Sequence, residues 1–231
     1  MRTSNKHNSL EELFSAIAEV IRCNLGHNQQ LYTTDFSSAI VDDMYGCVDY
    51  RVKSIIDRSI EYITEEDLRS ITRIKDYTFY NCTNLALTSL PEGITSIGTS
   101  AFYGCTNLAL TSLPEGITSI GASAFRNCTN LALTSLPENL TSIDDYAFYY
   151  CTNLALTSLP ESITSIGSSA FYYCMNLRTI TFKGTPTSIN SNAFGGCSNL
   201  ATINVPWSEG EVAGAPWGAT KATINYNYVG G

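Results

Sequence analysis

The feature that most constrains this sequence is a cysteine that recurs every 23 residues. It occupies six positions: Cys82, Cys105, Cys128, Cys151, Cys174 and Cys197. The neighbouring residues recur with the same period, so the unit at 90–112 has near copies and more degenerate copies along the chain. These copies cover residues 67–89, 113–135, 136–158, 159–181 and 182–204. Such self-similarity indicates stacked structural repeats, because a unit this short cannot bury its apolar face alone.

The apolar residues hold fixed positions within each unit. In the unit at 90–112 they are Ile94, Ile97, Ala101, Phe102, Cys105, Leu108 and Leu113. If successive coils pair as parallel strands about 4.8 Å apart, six coils form a rod roughly 29 Å long with a continuous apolar centre. The pattern predicts an α/β repeat solenoid with short extended pieces at 94–97 and 108–114. The stretch 100–105 has room for one helical turn at most.

The cysteines themselves have a structural interpretation. Ligands spread along a rod at one per coil cannot complete a tetrahedral shell around one ion, so we expect no metal site. The fixed interval is also a repeat signature and not a disulfide framework. We therefore expect a column of buried, reduced thiols that pack as small apolar groups.

The repeated run from Ile94 to Leu108 has the form Ile-Thr-Ser-Ile-Gly-x-x-Ala-Phe-x-x-Cys-x-x-Leu. Its 23-residue period falls in the range of leucine-rich repeats. The run resembles the BspA-type leucine-rich repeat, which occurs in bacterial surface proteins, some protists and many phage genomes. The resemblance implies adhesion or protein binding without catalysis, and it brings no fixed set of binding residues.

The segments that flank the repeats differ from them. Residues 8–24 predict a helix with a capping box at Ser9 and Glu12, and a second short helix begins near residue 34. We therefore divide the chain into a helical segment at 1–60, a solenoid at 61–204, and a C-terminal loop with a capping strand at 205–231.

The N-terminal segment resembles a short module common in tail and other structural proteins of phages. The resemblance implies attachment to other virion proteins, through apolar residues that lie on the first helix or in the turn after it. These are Leu10, Leu13, Phe14, Ile17, Val20, Ile21, Phe36 and Ile40. The alternative is a helix that caps the first coil, which stacked repeats also need, and the two roles can coexist. The apolar helix face also suggests a homo-oligomer.

Two columns of side chains are candidate binding surfaces on the solenoid. If the inward positions of the last two coils apply throughout, an apolar stripe is exposed, consisting of Leu87, Leu110, Leu133 and Leu156. A frame shifted along the chain buries these leucines and exposes the threonines instead. The second candidate is an aromatic column at Tyr80, Tyr103, Tyr149 and Tyr172, joined by Tyr150 and Tyr173, for which binding and packing between coils are both open interpretations.

Composition restricts the function further. The net charge of −8 gives no footprint for nucleic acid, and we find neither an export signal nor an apolar span for membrane insertion. The two histidines lie outside the repeats, and no catalytic or phosphate-binding motif appears, so we expect no enzyme and no cofactor. The two resemblances together imply a virion protein that binds a host-surface protein or glycan through its solenoid. The alternatives are a bacterial cell-surface adhesin and an intracellular interaction scaffold.

Overall fold

The computed structural model describes Leu68 and residues 71–229 of the 231-residue chain. The helical segment predicted at 1–60 lies outside the described residues. Ten short strands follow in chain order: Arg73–Ile74 (β1), Ser96–Ile97 (β2), Ser119–Ile120 (β3), Ser142–Ile143 (β4), Ser158–Leu159 (β5), Ser165–Ile166 (β6), Thr179–Phe182 (β7), Ser188–Ile189 (β8), Thr202–Asn204 (β9) and Thr223–Asn225 (β10).

The first side of each coil contributes one strand to a six-stranded parallel sheet, in the order β1-β2-β3-β4-β6-β8. Each serine pairs with the serine 23 residues further on, as Ser96 does with Ser119 and Ser119 with Ser142. The isoleucine of each strand points inward and is at least 94% buried. The 23-residue period of the sequence therefore equals the offset between paired residues of neighbouring strands.

The second side forms a four-stranded parallel sheet only towards the C-terminus, in the order β10-β9-β7-β5. In the earlier described coils this side has no regular strand, but backbone hydrogen bonds still join each coil to the next. The amide of Ala109, for example, donates to the carbonyl of Leu87, and the amide of Ala132 donates to the carbonyl of Leu110.

The third side is a turn segment that binds the next coil through alternate amides. Tyr77, Phe79 and Asn81 donate their amides to carbonyls of the following coil at 2.6–2.9 Å. Residues 77 and 81 have positive φ, which breaks any helical path after one i→i+3 turn. Residues 71–229 contain no α-helix, so this part of the chain is a β-solenoid and the α/β prediction is wrong for it.

The core is built from columns of identical residues. Six phenylalanine rings stack along the rod with centroids 5.1–5.5 Å apart and planes within 17° of parallel. They are Phe79, Phe102, Phe125, Phe148, Phe171 and Phe194, and each is at least 96% buried. Such a stack forms only if every coil has the same length, which explains why the 23-residue spacing is kept.

The six recurring cysteines are buried thiols, as the sequence predicts. Each thiol from the second coil onward donates to the phenylalanine carbonyl of the preceding coil. Cys128 Sγ, for example, lies 2.9 Å from the carbonyl oxygen of Phe102. That oxygen also accepts the amide of Cys105, so the thiol fills its second lone pair. The cysteine column therefore links neighbouring coils by side-chain hydrogen bonds inside the core.

Burial raises the pKa of Cys151 well above its ordinary value of 9.0, and the neighbouring Cys128 raises it further. Because the folded state holds the thiol neutral, this contribution to stability is complete below pH 9 and is lost as the pH rises towards the folded pKa. We expect Cys151→Ala to lower the free energy of unfolding at pH 7 by about 1–3 kcal/mol. Above pH 9, the difference in free energy of unfolding between the wild type and Cys151→Ala should decrease by about 1.4 kcal/mol per pH unit.

Urea unfolding of both proteins at pH 7, 9 and 10 measures this difference. Thr134→Ala, on the exposed side of the neighbouring coil, is the control whose difference from the wild type should not change with pH. A constant difference for Cys151→Ala would show that the thiol ionises equally in both states.

The C-terminal loop closes the end of the rod. Phe194, in the last full coil, donates its amide to the carbonyl of Trp217 at 2.9 Å, in place of the carbonyl that another coil would offer. The rings of Phe182, Trp207 and Trp217 pack edge to face or tilted over this end, and each is at least 97% buried. The loop therefore accepts the amide of Phe194 and covers apolar surface of the terminal coil, while β8 is the last strand of the six-stranded sheet.

Candidate binding surface

The structure buries the leucine stripe that one of the two sequence frames exposes. Its members are between 96% and 100% buried: Leu87, Leu110, Leu133 and Leu156. The prediction of an exposed apolar stripe is therefore wrong, and the alternative frame, with the threonines outside, is the one that forms.

The leucines are buried because the coils differ in where two successive residues face outward. In the unit at 90–112, Leu108 and Leu110 point inward, Thr111 and Ser112 both face solvent, and Leu113 is buried. In the later coil at 177–182, the two outward residues come directly after the first leucine, which shifts the second inward position by one. The frame of the last coils therefore cannot be carried back to the earlier ones.

The aromatic column lies on the turn side of the solenoid, where the sequence places it. Tyr80 and Tyr103 stack with ring centroids 4.7 Å apart, and Tyr149 and Tyr172 stack at 5.3 Å. All four rings are partly exposed. Gly195 ends the column, since a Cβ there would lie 2.5 Å from the Tyr172 ring.

Three members of this surface were not predicted. Arg126 occupies the column position between Tyr103 and Tyr149, and its guanidinium carbon lies 5.5 Å and 4.7 Å from their ring centroids. Tyr77 and Tyr146 lie three residues before the column position of their coils, and their rings pack against those of Tyr80 and Tyr149 at centroid distances of 5.8 Å and 5.9 Å. The signal that would have found them is their own spacing, because 77 and 146 differ by three periods of 23.

We call this surface the tyrosine face. It consists of Tyr77, Tyr80, Tyr103, Arg126, Tyr146, Tyr149, Tyr150, Tyr172 and Tyr173. The most exposed rings are Tyr77, Tyr146 and Tyr150, at 41%, 37% and 41%. It offers ring surface, phenol groups that donate and accept hydrogen bonds, and one cation.

Four of these tyrosines have a left-handed backbone, with φ between 58° and 61°: Tyr77, Tyr146, Tyr150 and Tyr173. These tyrosines occupy two positions of the repeat: Tyr77 and Tyr146 the first, Tyr150 and Tyr173 the second. Other coils have serine at the first position and asparagine or glycine at the second. Ser100, Ser123 and Ser169 share the position of Tyr146, whereas Asn127 and Gly104 share that of Tyr150. The fold therefore needs a left-handed residue here but does not need a tyrosine.

Tyr172 and Tyr173 form the tightest pair of the tyrosine face, with ring centroids 4.6 Å apart and planes nearly perpendicular. The proximity of Tyr173 raises the pKa of the Tyr172 phenol, and loss of solvent adds to this. Within the part of the chain that the structure describes, no group of three or more metal-ligating side chains occurs. The tyrosine face is thus suited to contact through rings and neutral hydroxyls.

The predicted virion-attachment residues, from Leu10 to Ile40, lie outside the described residues. Among residues 71–229 no helix has the length and apolar character needed to cross a membrane.

The stacked 23-residue coils, with leucine and isoleucine inside and parallel strands along one side, define a leucine-rich-repeat solenoid. A family model described as the BspA type leucine rich repeat region matches residues 72–201 in six copies. The chain belongs to the BspA-type leucine-rich-repeat family. No curated protein matches the chain at a significant level.

The chain is similar to several solved structures. A leucine-rich-repeat protein from T. pallidum is 29% identical with a TM-score of 0.52, over 66% of this chain and 72% of that one. The pneumococcal vaccine antigen PcpA is 21% identical with a TM-score of 0.43, over 64% and 43%. A leucine-rich-repeat protein from Bacteroides ovatus is 23% identical with a TM-score of 0.29, over 68% and 59%. The first of these supports the fold.

Proposed function

We propose that this chain is a non-enzymatic binding protein whose tyrosine face contacts a host-surface protein or glycan. The observation that carries the proposal is the set of four left-handed tyrosines. A bulky residue at positive φ is an outlier that costs about 1–2 kcal/mol relative to glycine. Three of the four are also well exposed, so little burial offsets this cost. Local conflict between sequence and backbone at exposed positions is typical of functional surfaces.

The chemistry of the tyrosine face suits recognition. Tyrosine offers a large amphipathic area at low entropic cost, and it is enriched at the energetic centres of interfaces together with arginine. The rings form two groups on either side of Arg126, one around Tyr80 and one around Tyr149. A ligand that lies along the rod therefore meets several rings in successive coils.

We further propose that the protein is part of a phage particle and is held there by residues 1–60. The support is the resemblance of the segment 10–40 to a module of phage structural proteins. A bacterial cell-surface adhesin is a second candidate, which membership of the BspA-type family supports equally. Mass spectrometry and immunogold labelling of purified particles test the first candidate. Detection on intact, uninfected cells and absence from particles would favour the second.

Tyr150→Asn tests the role of the tyrosine face, because Asn127 shows that asparagine fits this position. We expect binding of the full chain to its target cells to weaken at least tenfold. We also expect the free energy of unfolding to stay the same or rise by about 1 kcal/mol, because asparagine tolerates the left-handed region. Cell binding by flow cytometry and urea unfolding give the two values.

The control is Thr134→Asn, which places the same new side chain on another exposed side of the solenoid. It should change neither cell binding nor stability. If Tyr150→Asn and Thr134→Asn bound cells as the wild type does, the tyrosine face would not be the binding surface.

A further inference from the structure

Arg126 interrupts a column that is otherwise tyrosine on both sides. Its guanidinium carbon lies between 4.7 Å and 5.5 Å from the ring centroids of Tyr103, Tyr146 and Tyr149. A tyrosine at this position would continue the stack of the neighbouring coils. The fold therefore does not require a cation at this position. The guanidinium that is present packs against three tyrosine rings.

The hydrogen-bonding capacity of this guanidinium is incompletely used. Nε of Arg126 is buried and has no hydrogen-bond partner within the described part of the chain. No ion pair to Arg126 occurs among residues 71–229, where Lys183 and Glu138 form an ion pair elsewhere on the rod. Because Nε is buried between the rings, a ligand reaches the guanidinium at its outer edge, where the two Nη groups are planar donors that match a carboxylate in a bidentate manner.

The charges around Arg126 restrict what carries that carboxylate. Asp144 and Asp145 precede Tyr146 directly in the next coil, both are exposed, and the whole chain has a net charge of −8. These carboxylates and the negative net charge repel a ligand with many negative charges, such as an acidic peptide. A ligand with one carboxylate among neutral hydroxyls meets a single cation, exposed rings, and phenol groups that donate and accept hydrogen bonds.

We propose that the tyrosine face binds an acidic glycan and that Arg126 receives the carboxylate of one uronic or sialic acid unit. The neighbouring rings of Tyr146, Tyr149 and Tyr150 contact the sugar. This inference rests on the proposed binding function and specifies its ligand. The coil spacing also presents rings at a regular interval, so a linear glycan engages several coils at once.

The test compares pairs of glycans that differ only in the acid. The probes each carry one carboxylate: sialyllactose with its methyl ester, and xylotriose bearing a single glucuronic acid unit with its methyl ester. Each is titrated against the full-length protein by calorimetry. We expect the acidic member of at least one pair to bind at least tenfold more tightly, with a preference that decreases as salt is added. Equal binding of acid and neutral partners would overturn the proposal.

Two variants separate charge from packing. Arg126→Tyr continues the column and should abolish the preference for the acid while binding of the neutral glycan remains. Arg126→Lys keeps the charge without the planar fork and should retain part of the preference. A preference that survives in Arg126→Tyr would show that the carboxylate binds elsewhere.

Further arms identify which statement fails. If a poly-glutamate peptide binds through Arg126 and no acidic glycan does, the ligand class is wrong. If none of these probes binds, but the wild type binds cells and Tyr150→Asn does not, the glycan assignment fails and the proposed binding function stands. If cell binding is also unaffected by Tyr150→Asn, the proposed function fails with it.

Discussion

Phe148→Ala is expected to lower the free energy of unfolding by about 3–5 kcal/mol. The ring is fully buried and stacks on Phe125 and Phe171 at 5.5 Å and 5.4 Å, so its removal leaves a cavity in the middle of the rod. The backbone around it is held to the next coil by the bond from its amide to the carbonyl of Ala170. The surrounding coils therefore have little freedom to close the gap.

Urea unfolding monitored by circular dichroism measures this loss. Thr134→Ala, on an exposed side, is the control and should stay within about 0.5 kcal/mol of the wild type. A loss of less than about 1 kcal/mol for Phe148→Ala would mean that the phenylalanine stack does not determine the stability of the rod.

Deleting one complete unit should shorten the protein without unfolding it, whereas deleting half a unit should abolish the fold. Removal of 113–135 joins Ser112 to Leu136 and recreates the junction that already exists between Ser135 and Leu136. The stack then continues with one coil fewer, because each coil contacts only its neighbours. Removal of 113–124 leaves a coil too short to place its phenylalanine and cysteine in register.

Circular dichroism and size-exclusion chromatography distinguish the two deletions. We expect the 23-residue deletion to give a monodisperse protein that unfolds in one transition at lower temperature than the wild type. The 12-residue deletion should give an aggregated or unfolded chain. Similar behaviour of both deletions would contradict a fold that depends on the exact coil length.

The sequence predicts the stacking and most of the core, because period and burial have the same physical cause. A side chain that recurs every 23 residues meets its own copy in the next coil, so Phe102, Cys105 and Leu108 are inside wherever they recur. The strands at Ser96–Ile97 follow from the same register. Period alone does not reveal where a coil bends, which is why the turn at residues 100–105 was predicted as part of an α/β fold.

The binding surface is less predictable for a related reason. Burial of Leu110 depends on whether the two outward residues come after the first or the second leucine, and both patterns occur in this chain. Tyr103, Tyr149 and Tyr172 could be placed on one face by spacing, whereas the left-handed backbone of Tyr150 is a property of the folded turn. Arg126 was missed because it appears as an irregularity in the repeat, and only the structure shows it enclosed by rings.

Because the C-terminal loop contacts only the last coils, the structure of this end of the rod does not depend on the number of coils before it. Trp217 supplies the last acceptor, and Trp207 and Trp217 cover the last apolar surface, whatever number of coils precedes them. Unequal crossing-over between near-identical gene segments can therefore add or remove interior coils while the C-terminal loop still covers the last coil. The reach of such a protein can evolve in increments of one coil, and each increment brings one more row of side chains to a ligand.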